Sequence, residues 1–435
     1  MKRRSISKLA SAIVIVFFGI LLVRGDAFAQ ASPTPTATPT PSCSISELPD
    51  GSPPICNTGA EVPPSYLGVS GGNINSVTIS KTGGAVCCSG TFGALVQDSS
   101  GNQYVLSTNH VLARNSTTGS AAAKAKELIV QPSLQDLGCW QDPSDTVAQL
   151  SKWVPLSFKA GIENQMDVAI AKVVSANQGP NGPSVQGVDT SGRILNIGTI
   201  STTPFPFNSL IDGLAVMKMG RTSCLTSGVI DAFDAMGQVV YSKTCNNASS
   251  GVAYFDHQIL VLGQIPGSTN GSSCTFASPG DSGALVLTAD FGCPQAIGVV
   301  FAGASGSGAD SGGSIVAVNP IQTVLTKLNV SLVGQACTGA AYAQDADGSV
   351  RSADISDELR ASIEHVRRVK ELRGRTLLKI SGVAAVGIGA GNDPNSAMLN
   401  VYLTQDTPEI RNRVLKQLKG EQVRFKQLGG SFSAL

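Results

Sequence analysis

The sequence predicts a mainly β body followed by a small α+β unit, and three observations carry that prediction. From about residue 69 to 333, short apolar or alternating runs are separated by clusters of Gly, Ser, Asn and Asp, as in antiparallel strands closed into barrels. The 48 glycines and the charged fraction of 14% suit a body with many turns. After residue 354 the pattern changes to helical spacing, with Ile355, Leu359, Ile363, Val366 and Val369 along one apolar stripe.

The elements follow in order. Residues 1–29 read as an export signal: Lys2, Arg3 and Arg4 open it, an apolar stretch spans 10–23, and Ala27-Phe28-Ala29 offers a small-residue cleavage site. The apolar stretch is short for a membrane span, so no stable insertion is expected once the signal is removed, and the alternative is an uncleaved N-terminal anchor. Residues 30–66 form a spacer whose Pro/Thr tract, 31–42, can bury no core and is expected to be extended. The body covers 67–337, with a first barrel before about residue 190, a second after it, and a short helix over 320–328. A small, polar linker covers 338–353, and the α+β unit covers 354–435: a helix opened by Asp354, strands over 377–389 and 397–403, a helix over 408–418 and a strand over 422–428. The run Gly387-Ile388-Gly389-Ala390-Gly391 reads as strand and turn, because no helix follows it as a nucleotide loop requires.

Charge is nearly balanced, 31 basic against 30 acidic residues, which gives no electrostatic reason to expect nucleic acid or an anionic membrane as partner. All ten cysteines lie after residue 29, an even number that fits disulfides formed in a secreted or extracytoplasmic setting. Local pairing predicts Cys224 with Cys245, flanking a hairpin over 228–244, and Cys274 with Cys293, clamping the loop between them. No metal or other cofactor is expected, since the cysteines lack the paired spacing of a zinc site and Cys87 and Cys88 are adjacent.

Ser282 carries the chemistry. It stands between small residues in Ser278-Pro279-Gly280-Asp281-Ser282-Gly283 and ahead of an apolar strand, presented as a nucleophile is. A serine hydroxyl attacks only if a base takes its proton, so a histidine and an orienting carboxylate must exist elsewhere. Of three histidines, His110 is the candidate base, because the β-prone run from Tyr104 ends at it and a short helical turn follows. His257 sits in an alternating, strand-like run, and His365 in a charged helical stretch that reads as solvated surface. The candidate orienting acid is Asp167, which opens the apolar strand Val168-Ala169-Ile170 and can be held buried beside an imidazole. Asp136, Asp142 and Asp145 are the alternatives, in turn-like stretches expected to be exposed.

Thr108-Asn109-His110-Val111, then Met166-Asp167-Val168-Ala169-Ile170, then Gly280-Asp281-Ser282-Gly283, resemble the trypsin-like, chymotrypsin-fold serine peptidases in motif and in chain order. Order separates this fold from its convergent relatives, which run Asp, His, Ser or Ser, Asp, His. Gly93-Ala94-Leu95-Val96, Lys218-Met219-Gly220-Arg221-Thr222, the stretch from Ile297 to Gly303, and Ala317-Val318-Asn319-Pro320-Ile321 are similar to a narrower subgroup, the narrow-leaf-type and related bacterial trypsin-like proteins.

The resemblance, over about residues 67–333, implies a chymotrypsin-like double antiparallel β-barrel with the site between barrels. It implies a serine endopeptidase acting on protein or peptide through a covalent acyl-enzyme, with His110, Asp167 and Ser282 as triad. The backbone N–H groups of Gly280 and Ser282 would form the oxyanion hole, and Phe276, Phe301 and Gly303 the substrate pocket. Phe276 stands six residues before Ser282, where the family has its pocket floor, so cationic side chains are not expected there. No Ile-Val-Gly-Gly activation start is present, so Asp281, if buried, must find an alternative partner. A catalytically silent binding or scaffolding protein on the same fold is the rival reading, and an esterase a third.

Overall fold

The computed structural model describes residues 43–56, 61–79, 81, 83–118, 123–177, 184–264, 274–304, 314–337 and 355–435. The expected export signal, the Pro/Thr tract and the 338–353 linker lie outside the described residues. Among the described residues no helix is long and apolar enough to cross a membrane.

The fold is the mainly β double barrel that the sequence predicts. Among the described residues, eight strands form the first sheet, in the order Ser331–Leu332, Ala94–Gln97, Gln103–Ser107, Ala169–Val173, Thr146–Trp153, Leu128–Val130, Ser70–Asn73 and Gly90–Thr91. Leu95, Val105, Leu106, Leu150 and Ile170 fill its core. The second sheet is built on Ala215–Gly220, Cys224–Tyr241, Gly251–Gly263, Leu285–Thr288, Ala296–Ala304 and Ile315–Pro320, around Val216, Ile230, Val261, Val286 and Val300. The halves exchange strands: Glu163–Asn164 pairs in the second sheet, and Ser331–Leu332 returns to the first after the helix Ile321–Leu328.

Cys224–Tyr241 is one strand of 18 residues, not the turn of a hairpin over 228–244. One edge is taken by Gly251–Gly263, and the other by three strands in succession: Ala215–Gly220, Val383–Ala390 and Phe432–Ala434. This length corrects the first disulfide expectation. Cys224 opens this strand and Cys245 follows it, and each pairs with a cysteine outside the strand, Cys56 and Cys88 respectively. The five disulfides are Cys43–Cys274, Cys56–Cys224, Cys87–Cys139, Cys88–Cys245 and Cys293–Cys337. Cys274 and Cys293 also part company: Cys274 holds the segment before the first barrel, and Cys293 holds the chain that leaves the helix Ile321–Leu328.

The C-terminal elements extend the second sheet. The helix Asp357–Leu377 starts after Ser356, whose Oγ accepts the Leu359 N–H at 3.2 Å, slightly later than an opening at Asp354. Its run to Leu377 shifts the next strand to Val383–Ala390, while Ala397–Leu403, Pro408–Leu418 and Val423–Gln427 lie as expected. Phe432–Ala434 is a further short strand, unforeseen in the sequence. Val383–Ala390 pairs with the long strand through Phe233↔Ile388, Met236↔Val386 and Gly237↔Ala385.

An ionic cluster centred on buried Asp234 and Lys370 fixes the helix Asp357–Leu377 to that strand. The Asp234 carboxylate accepts from Lys370 Nζ at 2.8 Å, Arg367 Nε at 2.8 Å and His257 Nδ1 at 2.6 Å, and Lys370 Nζ also reaches Asp256 at 2.8 Å. Asp234, Asp256 and His257 lie close enough to share a cation, and the Lys370 ammonium is bonded to both carboxylates. Burial acts to raise the Asp234 carboxyl, but the bonds from His257, Lys370 and Arg367 hold it well below the usual carboxylate range. The hydrogen bond to Asp234 raises His257 against the opposing effect of burial.

A folded value above the unfolded one means that the imidazolium adds stability at low pH and loses it as pH rises through the folded value. The denaturation midpoint of the natural chain should therefore exceed that of His257→Gln below about pH 6.5 and converge on it at more alkaline pH. A gap unchanged between pH 5.5 and 9 would show that the charge does not stabilise the cluster.

Candidate active site

Strand register brings His110 and Asp167 together. Ala169–Val173 runs antiparallel to Gln103–Ser107 with Ala169 opposite Ser107, so the residues just before one strand and just after the other share one end of the sheet. His110 lies in the single turn Asn109–Leu112, which a buried asparagine pins. Asn109 Nδ2 donates to Val154 O at 2.7 Å and to Ser116 O at 3.0 Å, and Asn109 Oδ1 accepts the Ser116 N–H at 2.9 Å.

His110 Nδ1 donates to Asp167 Oδ2 at 2.6 Å, and the His110 backbone N–H reaches Asp167 Oδ1 at 3.2 Å. His110 Nε2 lies 2.6 Å from Ser282 Oγ. All three sequence-selected side chains thus meet at one point, with Asp167 and Ser282 fully buried. The other histidines are bound elsewhere, His257 to Asp234 and His365 Nε2 to Glu421 at 2.8 Å.

Two residues that spacing did not single out complete the surroundings of Asp167. Tyr241, at the end of the long strand, donates its hydroxyl to Asp167 Oδ2 at 2.7 Å. Burial, and then the neighbouring carboxylate, push the Tyr241 phenol well above its ordinary value, so it stays a donor. Asn319 Oδ1 accepts the Asp167 N–H at 3.0 Å and Asn319 Nδ2 donates to Asp167 O at 3.1 Å. Tyr241 closes an unremarkable alternating run, and only the three-dimensional path of that strand reveals its role.

Ser282 sits on a tight turn that closes onto the first sheet. The Thr91 N–H donates to Ser282 O at 2.7 Å, and Thr91 Oγ1 donates to Gly280 O at 2.9 Å. Gly280 and Gly283 have φ of +102° and +96°, a region that favours glycine, and a Cβ at Gly283 would strike Ser107 Oγ and Thr91 O. Within the turn, the N–H groups of Asp281 and Gly283 donate to Ser278 O and Val300 O. Among the described residues those of Gly280 and Ser282 make no such bond.

Asp281 is fully buried, and its cation is internal. Lys218 Nζ, also buried, lies 3.5 Å from Asp281 Oδ2. The carboxylate further accepts the N–H groups of Thr222 at 2.7 Å and Ser278 at 2.8 Å, and the Ser223 hydroxyl. Burial lowers the Lys218 ammonium while Asp281 opposes that shift. The same ammonium lies 5.6 Å from the centre of the Phe276 ring, so Phe276 is a buried wall with a cation behind it. Phe301 packs its ring against Phe255 in the barrel, and Gly303 lies on the same strand two residues on.

Asp136, expected to be an exposed turn residue, is instead engaged. It pairs with Arg221 and accepts from the hydroxyls of Ser70 and, at 3.0 Å, Ser133. A cleft of about 280 Å³ opens beside the three-residue cluster, lined by His110, Tyr241, Gly280, Ser89, Ala434 and Leu435 among others.

In structure the chain is similar to bacterial trypsin- and chymotrypsin-like serine proteases. A Nocardiopsis protease is 13% identical over 61% of this chain and 97% of its own, with a TM-score of 0.33. Thermobifida fusca protease A is 16% identical over 62% and 98%, with a TM-score of 0.32. Cellulomonas bogoriensis chymotrypsin is 18% identical over 61% and 98%, with a TM-score of 0.30. No protein-family model and no curated protein sequence matches the chain.

The Lys218–Asp281 pair gives the next testable consequence. Removing one member of a buried pair leaves an uncompensated charge, at a cost of roughly 3 kcal/mol or more. Lys218→Met should lower unfolding stability by about that amount in denaturant titration, and an unchanged midpoint would show that backbone donors alone satisfy Asp281.

Proposed function

We propose that the protein is a secreted serine endopeptidase with His110, Asp167 and Ser282 as its triad. The carrying observation is the continuous chain of bonds from Asp167 through His110 to Ser282 Oγ, at 2.6 Å on each side of the imidazole. Five disulfides support an oxidising, extracytoplasmic setting, as does the signal-like N-terminus. The motifs of the narrow-leaf-type subgroup favour that branch, and protein or peptide is the substrate class proposed.

In this reading Ser282 Oγ attacks the scissile carbonyl while its proton passes to His110 Nε2, forming an ester bond to the acyl group. The protonated imidazole then gives that proton to the departing amine as the C–N bond breaks, and water repeats the sequence to release the acid. Asp167 holds the Nδ1–H tautomer and stabilises the imidazolium. Tyr241 and Asn319 act through Asp167 as positioning residues. The oxyanion would be received by the N–H groups of Gly280 and Ser282, a role that their lack of other partners among the described residues supports.

A fluorophosphonate, which reacts only with an activated serine, tests this directly. The natural chain should gain one adduct on Ser282 after prolonged incubation, as mapped by mass spectrometry, and Ser282→Ala should gain none. Asp167→Asn should slow labelling by orders of magnitude. Failure of Ser282 to react in folded protein would favour the silent binding protein instead.

A further inference from the structure

Ser282 is completely buried, although a nucleophile must meet its substrate. Its cover is the strand Phe432–Ala434 with the residue that follows it. The strand runs antiparallel to Ala296–Ala304, with Ala302 opposite Ala434 and Gly303 opposite Ser433. The Leu435 N–H donates to Phe301 O at 3.3 Å, and the Leu435 backbone oxygen lies 2.5 Å from Ser282 Oγ and 3.2 Å from His110 Nε2.

Leu435 is 9% exposed, and its side chain sits over Gly303, where a Cβ would come within 2.9 Å of Cδ2. It belongs to the apolar cluster that includes Phe276, behind which stands the Lys218 ammonium. Ala434 lies beside His110 and Tyr241 in the cleft, and Phe432 is buried among Phe255, Phe301 and Tyr402. The backbone is extended, paired on an edge that leads to the nucleophile, and delivers one apolar side chain beneath it. That is how a protease site receives the acyl side of a substrate.

We infer that residues 432–435 occupy the acyl-side cleft as a substrate-like internal inhibitor, and that the site's own substrates are extended peptides with leucine or a similar aliphatic residue supplying the scissile carbonyl. This rests on the serine peptidase reading and deepens it. The side-chain preference follows from the chemistry around Leu435: a glycine floor leaves room for branched carbon, and an apolar surround disfavours a charged group of either sign. The tether raises the local concentration of the segment to the order of millimolar, enough for a weak peptide to hold the site closed.

The test compares the full natural chain with the full-length double variant Ser433→Pro/Leu435→Asp. Proline removes a ladder N–H opposite Gly303, and aspartate places a charge in the apolar pocket. Fluorophosphonate should label Ser282 in the double variant at least roughly ten-fold faster than in the natural chain. The variant should also cleave the anilide of acetyl-Phe-Ser-Ala-Leu at least roughly ten-fold faster than its Arg or Asp counterparts, and the free acid of that peptide should inhibit competitively. Prompt and equal labelling of both chains would overturn the occupancy while leaving the hydrolase reading in place. Preference for the Arg or Asp anilide would overturn the substrate class. Absence of labelling in both folded chains would overturn the hydrolase reading, and this proposal with it.

Discussion

The Asp167 carboxylate is the constraint around which the two halves of the molecule are registered. A buried carboxylate without donors costs several kcal/mol, so its position is tolerated only if donors converge on it. They come from both sheets: His110 from the first, and Tyr241 from the far end of the long strand of the second. Asn319 ties the Asp167 backbone to the second sheet in both directions. A slip of either sheet relative to the other would strip the carboxylate of a donor, so satisfying Asp167 and aligning His110 with Ser282 are one packing problem.

A second buried carboxylate orders the turn that carries Ser282. Asp281 draws four donors from the Thr222–Ser223 and Ser278 backbone and the Ser223 hydroxyl, and its charge is met by Lys218 from the adjacent strand. An ammonium fixed within the folded body needs no newly exposed chain end to arrive. The turn is therefore held entirely by contacts within the folded body.

What could be read from the sequence was local. His110, Asp167 and Ser282 each announce themselves by their immediate neighbours, and the strands beside them follow from short apolar runs. The C-terminal helix over 408–418 and strand over 397–403 follow from periodicity and from Pro408 at a helix start. The cysteine pairings were illegible because all five bridges join segments at least 44 residues apart. Tyr241 was hidden for the same reason, since its value lies in where 18 residues of strand deliver it. Phe432–Ala434 is three residues after a double glycine, too short for any pattern, and it is a strand only because two exposed edges were there to receive it.

The long strand couples these features in an instructive order along its length. Its first part pairs with Ala215–Gly220 and so with Lys218, its middle carries Asp234 and the edge used by Val383–Ala390, and its end presents both Tyr241 and the residues Val239 and Val240 that pair with Phe432 and Ser433. The C-terminal unit is thus gripped at the middle and delivers its last strand at the end. The two grips differ in kind. The middle is held by buried ion pairs and a ladder that includes Ile388 and Val386, whereas the last strand is a short ladder of three pairings to Ala296–Ala304 and two to the long strand. Local opening free energies follow the amount of buried contact, so the terminal strand should peel away long before the unit that carries it. Tyr241 and Asp167 are bonded to each other rather than to the terminal strand, so the bonds on the Nδ1 side of His110 do not depend on that strand, whereas Nε2 also meets the Leu435 oxygen.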